Sequence, residues 1–591
     1  MNTNTDSLAR PRPTPRWCIA LVVFLLVLLV AQTTLSMSRK SVTVDEIMYI
    51  AAGYYHLQTG DFSMNMTNPP LMKVLAALPL LALRAELPEV ETDPAGWSLV
   101  EQWRYARRFL YDNRVDADRL LFVARLPVVA LAVLLGLFVY RWAGELGGRA
   151  SGCLALFLYS MSPNILAHAR LATHDLGLTA FMFISAFYFW RYMKKPAMKP
   201  LVLCGVFSGL SLLTKTTAAF LAPIFGIYVL VCLLRRNGLG IHERFPLVNR
   251  LSKARTVERQ LLSAVLAFSV IGLIVLVTLN IGYGFQGTFT SPDANGSSGV
   301  LAGLPLPVPQ PFARLIGFQA DLTERSGQVY FAGRLYQSGL WYLMVVSLLI
   351  KTPIALLVMT AAASVLLLRR VRTLESEWLL AAFAATILFV FSYLGNINMG
   401  LRYVLPIYPV IHVLTSTLLR PPMRRPKTIG MTVGALCILY LFSSLSIHPH
   451  YLAYFNTFVG GPKNGHRYLT DSNLDWGQDL KSLKEYMDGR GIERIALGYF
   501  GSADASYYGI DYDYLPSVGL APQKPGQFWW YEEEAVCTEP TALPKGTVAI
   551  SATLLASQGW MTDIFGECYA HLRDVEPVDQ VGHSILIYEI E

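Results

Sequence analysis

Two acids, Asp45 and Glu46, follow the first long apolar run of the chain. About twenty residues later comes Asn68-Pro69-Pro70-Leu71-Met72-Lys73. A carboxylate can act as a general base, and a lysine held by a stiff turn can grip an anion through charge-assisted hydrogen bonds. Placed together at a membrane surface, these groups suit chemistry on an anionic lipid headgroup. Neighbouring helical residues point about 100° apart, so the two acids are not a facing dyad. One would work in a site while the other orients it. The inert alternative is a pair of solvated acids at a helix start, where the helix dipole favours them.

Other ionisable residues fall on the same predicted side. Asp175 ends the stretch His168-Ala169-Arg170-Leu171-Ala172-Thr173-His174-Asp175 and opens an apolar run. It could be an ordinary N-terminal helix acid. Yet Arg170, His174 and Asp175 all lie on the side that carries Asp45, and ionisable groups at membrane depth are costly and usually functional. Lys73, Arg125, Lys215 and Arg402 are cations expected near the outer leaflet, where the positive-inside rule disfavours them. Holding a phosphate is one reason for such placement; snorkelling or pairing with a local acid is the other. His168 and His174, with Asp45 and Asp175, could hold a divalent cation, although their spacing is not that of a helical ligand pair. The chain has no P-loop, no clear dinucleotide fingerprint and no Cys/His zinc array. Energy from a cytoplasmic nucleotide is therefore poorly supported. An activated substrate already in the membrane fits better.

These residues must be positioned by membrane helices. The 591 residues are 53% hydrophobic and only 15% charged, with a mean hydropathy of +0.40. Such a chain is a polytopic helical membrane protein. About eleven spans are expected, at 17–37, 119–140, 150–167, 175–190, 200–214, 217–234, 261–281, 340–368, 378–395, 403–419 and 428–446. Each loop expected inside is basic, which puts the N-terminus in the cytoplasm and the C-terminus outside. The net charge of +8 is explained by those loops and does not call for nucleic acid. Two outer loops are long. The first, 38–118, should carry a helix over 47–58 lying along the interface, with Tyr49, Tyr54 and Tyr55 at headgroup level, and a short apolar stretch over 70–83. The second, 282–339, is rich in Gly and Pro and should be irregular, as lids often are. A transmembrane domain over 1–446 would be followed by a small extracytoplasmic α/β domain over 447–591. That domain is read with a helix over 479–487 and strands over 494–499, 547–551 and 585–590. Of seven cysteines, Cys537 and Cys568 lie in that outer part and would either pair or remain free thiols.

The order of motifs resembles the GT-C glycosyltransferases, and within them the protein O-mannosyltransferase (family 39) superfamily, which includes the lipid A aminoarabinose transferase. The run is Thr43-Val44-Asp45-Glu46, the Pro-Pro-Leu-Met-Lys73 stretch, Ala124-Arg125-Leu126-Pro127, Ala169 to Asp175, and Leu213-Thr214-Lys215. Later stretches fit bacterial phospholipid-carrier-dependent members: Gly333 to Tyr342, Ile350-Lys351-Thr352-Pro353, Asn398 to Pro406, His450 to Asn456, Gly460 to Lys463, and Asp471-Ser472-Asn473-Leu474-Asp475-Trp476-Gly477-Gln478-Asp479. The resemblance implies a GT-C fold in the inner (plasma) membrane and a polyprenyl-phosphate sugar as donor. It also implies inverting transfer on the outer face to a hydroxyl of a protein, glycan or lipid. By the same resemblance Asp45 is the catalytic acid, with Glu46 beside it and Asp175 as the second acidic residue. Lys73 lies near the donor phosphate, with Arg125, Arg170, Lys215 and Arg402 as further candidates to hold it. The chain departs at Asn68, where relatives carry His or Glu-Lys. A large inserted sugar-binding domain is also absent, so a mannosylated protein acceptor does not follow. The alternative class is a transporter or flippase for a lipid-linked or anionic substrate. Such proteins show inverted repeats and midplane breaks, which this sequence lacks.

Overall fold

The computed structural model describes residues 15–89, 97–234, 256–290, 305–325, 328–370, 377–394, 400–422, 425–518, 537, 539–557 and 567–591. In chain order the first helices are α1 (Arg16–Ser38), α2 (Val44–Thr59), α3 (Leu71–Ala77), α4 (Leu80–Leu83), α5 (Leu99–Tyr111) and α6 (Ala117–Gly147). They are followed by α7 (Arg149–Ser160), α8 (Pro163–Ala169), α9 (His174–Lys194), α10 (Met198–Leu212) and α11 (Leu221–Leu234). Later apolar helices are Thr256–Gly282, Leu343–Lys351, Ile354–Arg369, Glu377–Phe389, Ile407–Ser416 and Pro426–Leu445.

Helices occupy all the apolar runs expected from the sequence. Among the described residues, five are long and apolar enough to cross a membrane: Arg16–Ser38, Ala117–Gly147, Thr216–Leu234, Gln260–Gly282 and Pro426–Leu445. Two more spans result if each bent pair counts as one. These pairs are α7 with α8, bent by 62°, and Leu343–Lys351 with Ile354–Arg369, bent by 116°. Both bends fall at a proline, Pro163 and Pro353, whose missing N–H and ring interrupt the helical ladder. The other runs form shorter or less apolar helices, so among the described residues five to seven candidate spans stand against the eleven expected. The chain is a multi-pass membrane protein. α9 is the central helix, with every residue from His174 to Phe187 buried.

The first long loop differs from expectation. α2 is helical, but it does not lie along the interface with its tyrosines outward. Nearly the whole helix is buried in protein, Tyr49, Tyr54 and Tyr55 included. Its docking depends on Gly53, where a Cβ would overlap the backbone carbonyl of Lys73 on α3. Glycine is needed there for close approach of two backbones. On the far side α3 rests on α9, where Met72 fills the space that a Cβ at Gly177 would take. The second long loop is more ordered than its composition suggests. It holds a helix, Gln310–Arg325, and a two-stranded antiparallel hairpin, β1 (Val329–Phe331) and β2 (Arg334–Tyr336). Residues 291–304, the centre of the expected lid, lie outside the described part.

The C-terminal part has the α/β character read from the sequence. After the helix Leu480–Arg490 come β3 (Arg494–Gly498), β4 (Asp511–Tyr514), β5 (Gly546–Ser551), β6 (Asp579–Val581) and β7 (Ile585–Ile590). The sheet order is β4-β3-β5-β7-β6. β4, β3 and β5 are parallel, while β7 runs antiparallel to β5 and to β6. Cys537 and Cys568 are disulfide-bonded, with Cα atoms 5.2 Å apart. Packing is continuous across residue 446. One hydrophobic cluster extends from Leu25 and Leu29 of α1 to Leu586 and Ile587 of β7. The Lys351 ammonium, at a membrane helix end, donates to the carbonyls of Leu452 and Asn473.

Candidate active site

Asp45 and Glu46 occupy the first turn of α2, and the structure gives them opposite environments. Thr43 and Glu46 form a capping box: the Thr43 N–H and hydroxyl each donate to Glu46 Oε2 at 3.0 Å. The Ala172 N–H donates to Oε1 at 2.8 Å. Arg125 closes on the same carboxylate with Nε to Oε1 at 2.8 Å and Nη2 to Oε2 at 2.6 Å. Burial alone would raise the Glu46 pKa, but the Arg125 charge and these hydrogen bonds outweigh it, and the net direction is down. Neither partner is exposed to solvent. Glu46 is therefore an ionised strut that fixes the start of α2.

Arg125 is equally committed. Beyond Glu46, its Nη1 donates to the Met37 and Lys40 carbonyls and its Nη2 to the Ser41 carbonyl. A guanidinium has five N–H donors, and here all five have protein acceptors. The phosphate-holding role expected of Arg125 does not fit this geometry. Arg170 is also misplaced for that role. It is fully buried, none of its guanidinium nitrogens has a hydrogen-bond partner among the described residues, and its electrostatic neighbours are Arg125, Asp479 and Glu46 behind the strut.

Asp45 faces the other way. Its side chain is 28% exposed, and Oδ2 accepts from Arg402 Nη1 at 3.2 Å. The same oxygen accepts from the Tyr49 hydroxyl at 3.3 Å. Tyr49 is one turn along α2, so its ring lies beneath Asp45. It packs edge-on against His174, with ring centroids 4.3 Å apart. A second ion pair adjoins the first. Lys215 Nζ donates to Asp175 Oδ1 at 3.1 Å and lies 4.3 Å from the Tyr403 ring centroid, a cation–π contact. Arg402, next in sequence to Tyr403, stands 5.0 Å over the Trp476 ring. The structure thus brings Asp45, Asp175, Lys215 and Arg402 together from four separate stretches of chain.

Lys73 lies deeper, at the foot of the Pro-Pro turn. Its buried ammonium donates to the carbonyls of Asn65 and, at 2.8 Å, Asn68. Burial lowers its pKa to about 7. Beside it is a small recess lined by His56, Phe62, Asn68, Tyr283 and Leu315 among others. Asn68, the position of departure, donates to the Tyr49 hydroxyl at 3.4 Å. It thereby links the lysine turn to the residue under Asp45.

The expected divalent-cation site is not assembled. Among the described residues no three His, Cys, Asp or Glu side chains are placed to hold a metal ion. His168 and His174 are each buried with one ring nitrogen unpartnered, and they do not converge with Asp45 and Asp175 as a ligand set.

Residues that the sequence left unassigned also reach the site. Tyr49, Tyr403 and Trp476 frame the two working cations. Asp471, in the C-terminal part, lies within electrostatic reach of both Asp45 and Arg402. Its carboxyl is pushed up to about 6 by burial, opposed by Arg402 and reinforced by Asp45. The motif from Asp471 to Asp479 was visible in the sequence, but nothing in its spacing pointed to the membrane helices.

The family profile described as dolichyl-phosphate-mannose-protein mannosyltransferase matches residues 117–241, the stretch that carries Asp175 and Lys215. Among solved structures, ArnT from Cupriavidus metallidurans bound to undecaprenyl phosphate is similar over 80% of this chain and 73% of that chain, with 16% identity and a TM-score of 0.36. The Archaeoglobus fulgidus oligosaccharyltransferase in complex with Zn and sulfate matches over 93% of this chain and 62% of that one, at 13% identity and a TM-score of 0.44. The S. cerevisiae Pmt1-Pmt2 complex bound to its sugar donor matches over 48% and 36%, at 16% identity and a TM-score of 0.32. No curated protein matches the chain significantly. Residues 117–241 are thus similar in sequence to the family described as dolichyl-phosphate-mannose-protein mannosyltransferase.

Proposed function

We propose that the protein is an inverting glycosyltransferase that moves a sugar from a polyprenyl-phosphate donor to an acceptor hydroxyl, on the side of the membrane that bears the C-terminal sheet. The observation that carries this reading is the split between the two neighbouring acids. Glu46 is sealed in a saturated ion pair, while Asp45 reaches solvent beside the Asp175–Lys215 pair and Arg402. Asp45 takes the proton of the acceptor hydroxyl as that oxygen attacks the anomeric carbon. The bond from the anomeric carbon to the phosphate oxygen breaks, and its electron pair leaves with the phosphate. Arg402 and Lys215, with Lys73 from below, stabilise that growing charge. A phosphate leaving group needs no protonating acid, so one base and a cluster of cations suffice and the anomeric configuration inverts. The family match over 117–241 supports a lipid-phosphate sugar as the donor class, and the outward orientation rests on the loop-charge pattern. In purified protein supplied with undecaprenyl-phosphate sugars, Asp45→Asn is expected to abolish transfer while undecaprenyl phosphate still binds. Transfer at the wild-type rate would overturn the assignment.

A further inference from the structure

One face of α2 carries Asp45, Tyr49 and Gly53, each one turn from the next. The three meet different parts of the molecule. Asp45 accepts from Arg402 at the site mouth. Gly53 lies against the Lys73 carbonyl of α3, where a Cβ would overlap it. Tyr49 stands between them, and its hydroxyl is bonded on two sides. It donates to Asp45 Oδ2 at 3.3 Å and accepts from the Asn68 side-chain amide at 3.4 Å. The chemistry of the groups fixes these directions. An amide NH2 only donates, which leaves the single hydroxyl proton for the carboxylate.

Asn68 is engaged through its main chain as well. Its backbone carbonyl accepts from the Lys73 ammonium at 2.8 Å, and Pro69 and Pro70 follow it, with φ locked by their rings. A continuous path of three hydrogen bonds therefore runs from the Lys73 ammonium through Asn68 and the Tyr49 hydroxyl to the Asp45 carboxylate. Asn68 is also where the chain departs from its relatives. An amide at this position makes the bridge without adding a charge beside the base. The Tyr49 ring is buried and packs edge-on against His174 at 4.3 Å between centroids. That contact fixes where the hydroxyl stands, next to the residue that precedes Asp175.

Inverting transfer needs a base at the entering oxygen and cations at the leaving phosphate, on opposite sides of the anomeric carbon. The separation of base and cation is what the protein must hold, because a small misplacement of a reacting group costs much of the rate. We propose that Tyr49 is a positioning residue that, together with Asn68, holds the Asp45 carboxylate in register with the Lys73 ammonium. This role rests on the glycosyl-transfer reading above. It belongs to the hydroxyl, whereas a tyrosine kept for packing alone needs only its ring. Tyr49→Phe separates the two, since it keeps the ring on His174 and removes both hydrogen bonds. Lys73 keeps its own backbone acceptors in that variant, so donor binding stays while turnover falls.

The test uses Tyr49→Phe and Asn68→Leu in the full-length protein, assayed with undecaprenyl-phosphate sugars. Tyr49→Phe is expected to lower kcat by about tenfold, the order of effect when a hydrogen bond to a charged group is lost. Its undecaprenyl-phosphate Kd should match wild type. Asn68→Leu keeps the backbone carbonyl that Lys73 uses and removes only the amide, so kcat should fall by less, again with Kd unchanged. Adding Asn68→Leu to Tyr49→Phe should cost nothing further, because the bridge is already broken. Should Tyr49→Phe fail to fold, Asn68→Leu carries the test, and a wild-type kcat there counts against the bridge. A wild-type kcat for Tyr49→Phe, a weakened Kd with kcat retained, or fully multiplicative losses in the double variant would overturn the proposal and leave the transfer reading standing. A wild-type protein that neither binds undecaprenyl phosphate nor transfers from it overturns both.

Discussion

Glu46 and Arg125 form a bidentate ion pair with no exposure to solvent, between the first turn of α2 and the interior of α6. The pair ties α2 to α6, a helix long and apolar enough to cross a membrane, one residue from the proposed base. Its role is to define where Asp45 stands.

Arg125→Met should therefore be severely destabilising. It leaves the buried Glu46 carboxylate without its cation and the Met37, Lys40 and Ser41 carbonyls without their donor, and breaking one partner of such a pair costs about 3–5 kcal/mol. Thermal unfolding in detergent should show a large drop in midpoint. The double variant Glu46→Gln/Arg125→Met should recover part of it, because no lone charge remains.

Gly53→Ala tests the contact between α2 and α3. A methyl group there runs into the Lys73 carbonyl, and backbone cannot move aside as a side chain can. The expected outcome is loss of transfer through displacement of Lys73 and Asp45 together, with a fall in stability of about 1–3 kcal/mol, typical of overpacking. Activity assays paired with thermal unfolding would check both.

Lys215→Met leaves Asp175 almost buried without its cation. The donor phosphate loses one of its holders, so the donor KM should rise by about tenfold or more. A repulsive acid also remains in the site. Asp175→Asn/Lys215→Met should be less impaired in donor binding than Lys215→Met alone, measured with undecaprenyl phosphate.

Lys73 makes both binding and stability depend on pH near neutrality. Burial lowers its pKa from 10.5 to about 7. Between these values the unfolded chain holds a proton that the folded chain has released, so this group makes stability rise with pH across that window. Below pH 7 the folded protein must carry a buried charge. Phosphate binding has the opposite preference, since only the ammonium holds the anion. Undecaprenyl-phosphate affinity should therefore weaken as pH rises through 7, and Lys73→Met should flatten that dependence. Titrations between pH 6 and 8.5 would show it.

Much of the fold was legible in the sequence because it rests on local patterns. Apolar runs mark the candidate spans among the described residues, and short apolar stretches mark β3, β5 and β7 to within a residue or so. The candidate acids were legible too. Asp45, Asp175, Lys215 and Arg402 are costly residues at apolar boundaries, and the tertiary structure gathers them. The α2 tyrosines were misread because an amphipathic helix beside a membrane looks the same in sequence whether its apolar face meets lipid or protein. Arg125 and Arg170 were read as phosphate ligands because a cation's partner lies far away in the chain, and spacing carries no trace of it. Glu46 with Arg125 spans 79 residues and Asp45 with Arg402 spans 357.

The sequence by itself determined that this is a multi-pass membrane protein and singled out ionisable residues at the ends of its apolar runs, since hydropathy and charge act residue by residue. Only the tertiary structure decided which member of the Asp45–Glu46 pair is sealed and which reaches solvent, which cations lie beside Asp45 and Asp175, and that Trp476 of the loop Asp471–Asp479 packs on Arg402. The physical reason is that desolvation and pairing depend on what packs against a group. For Asp45 and Glu46, adjacent in the chain, that environment differs as completely as it can, because one helical step turns a side chain from the site mouth into the protein core.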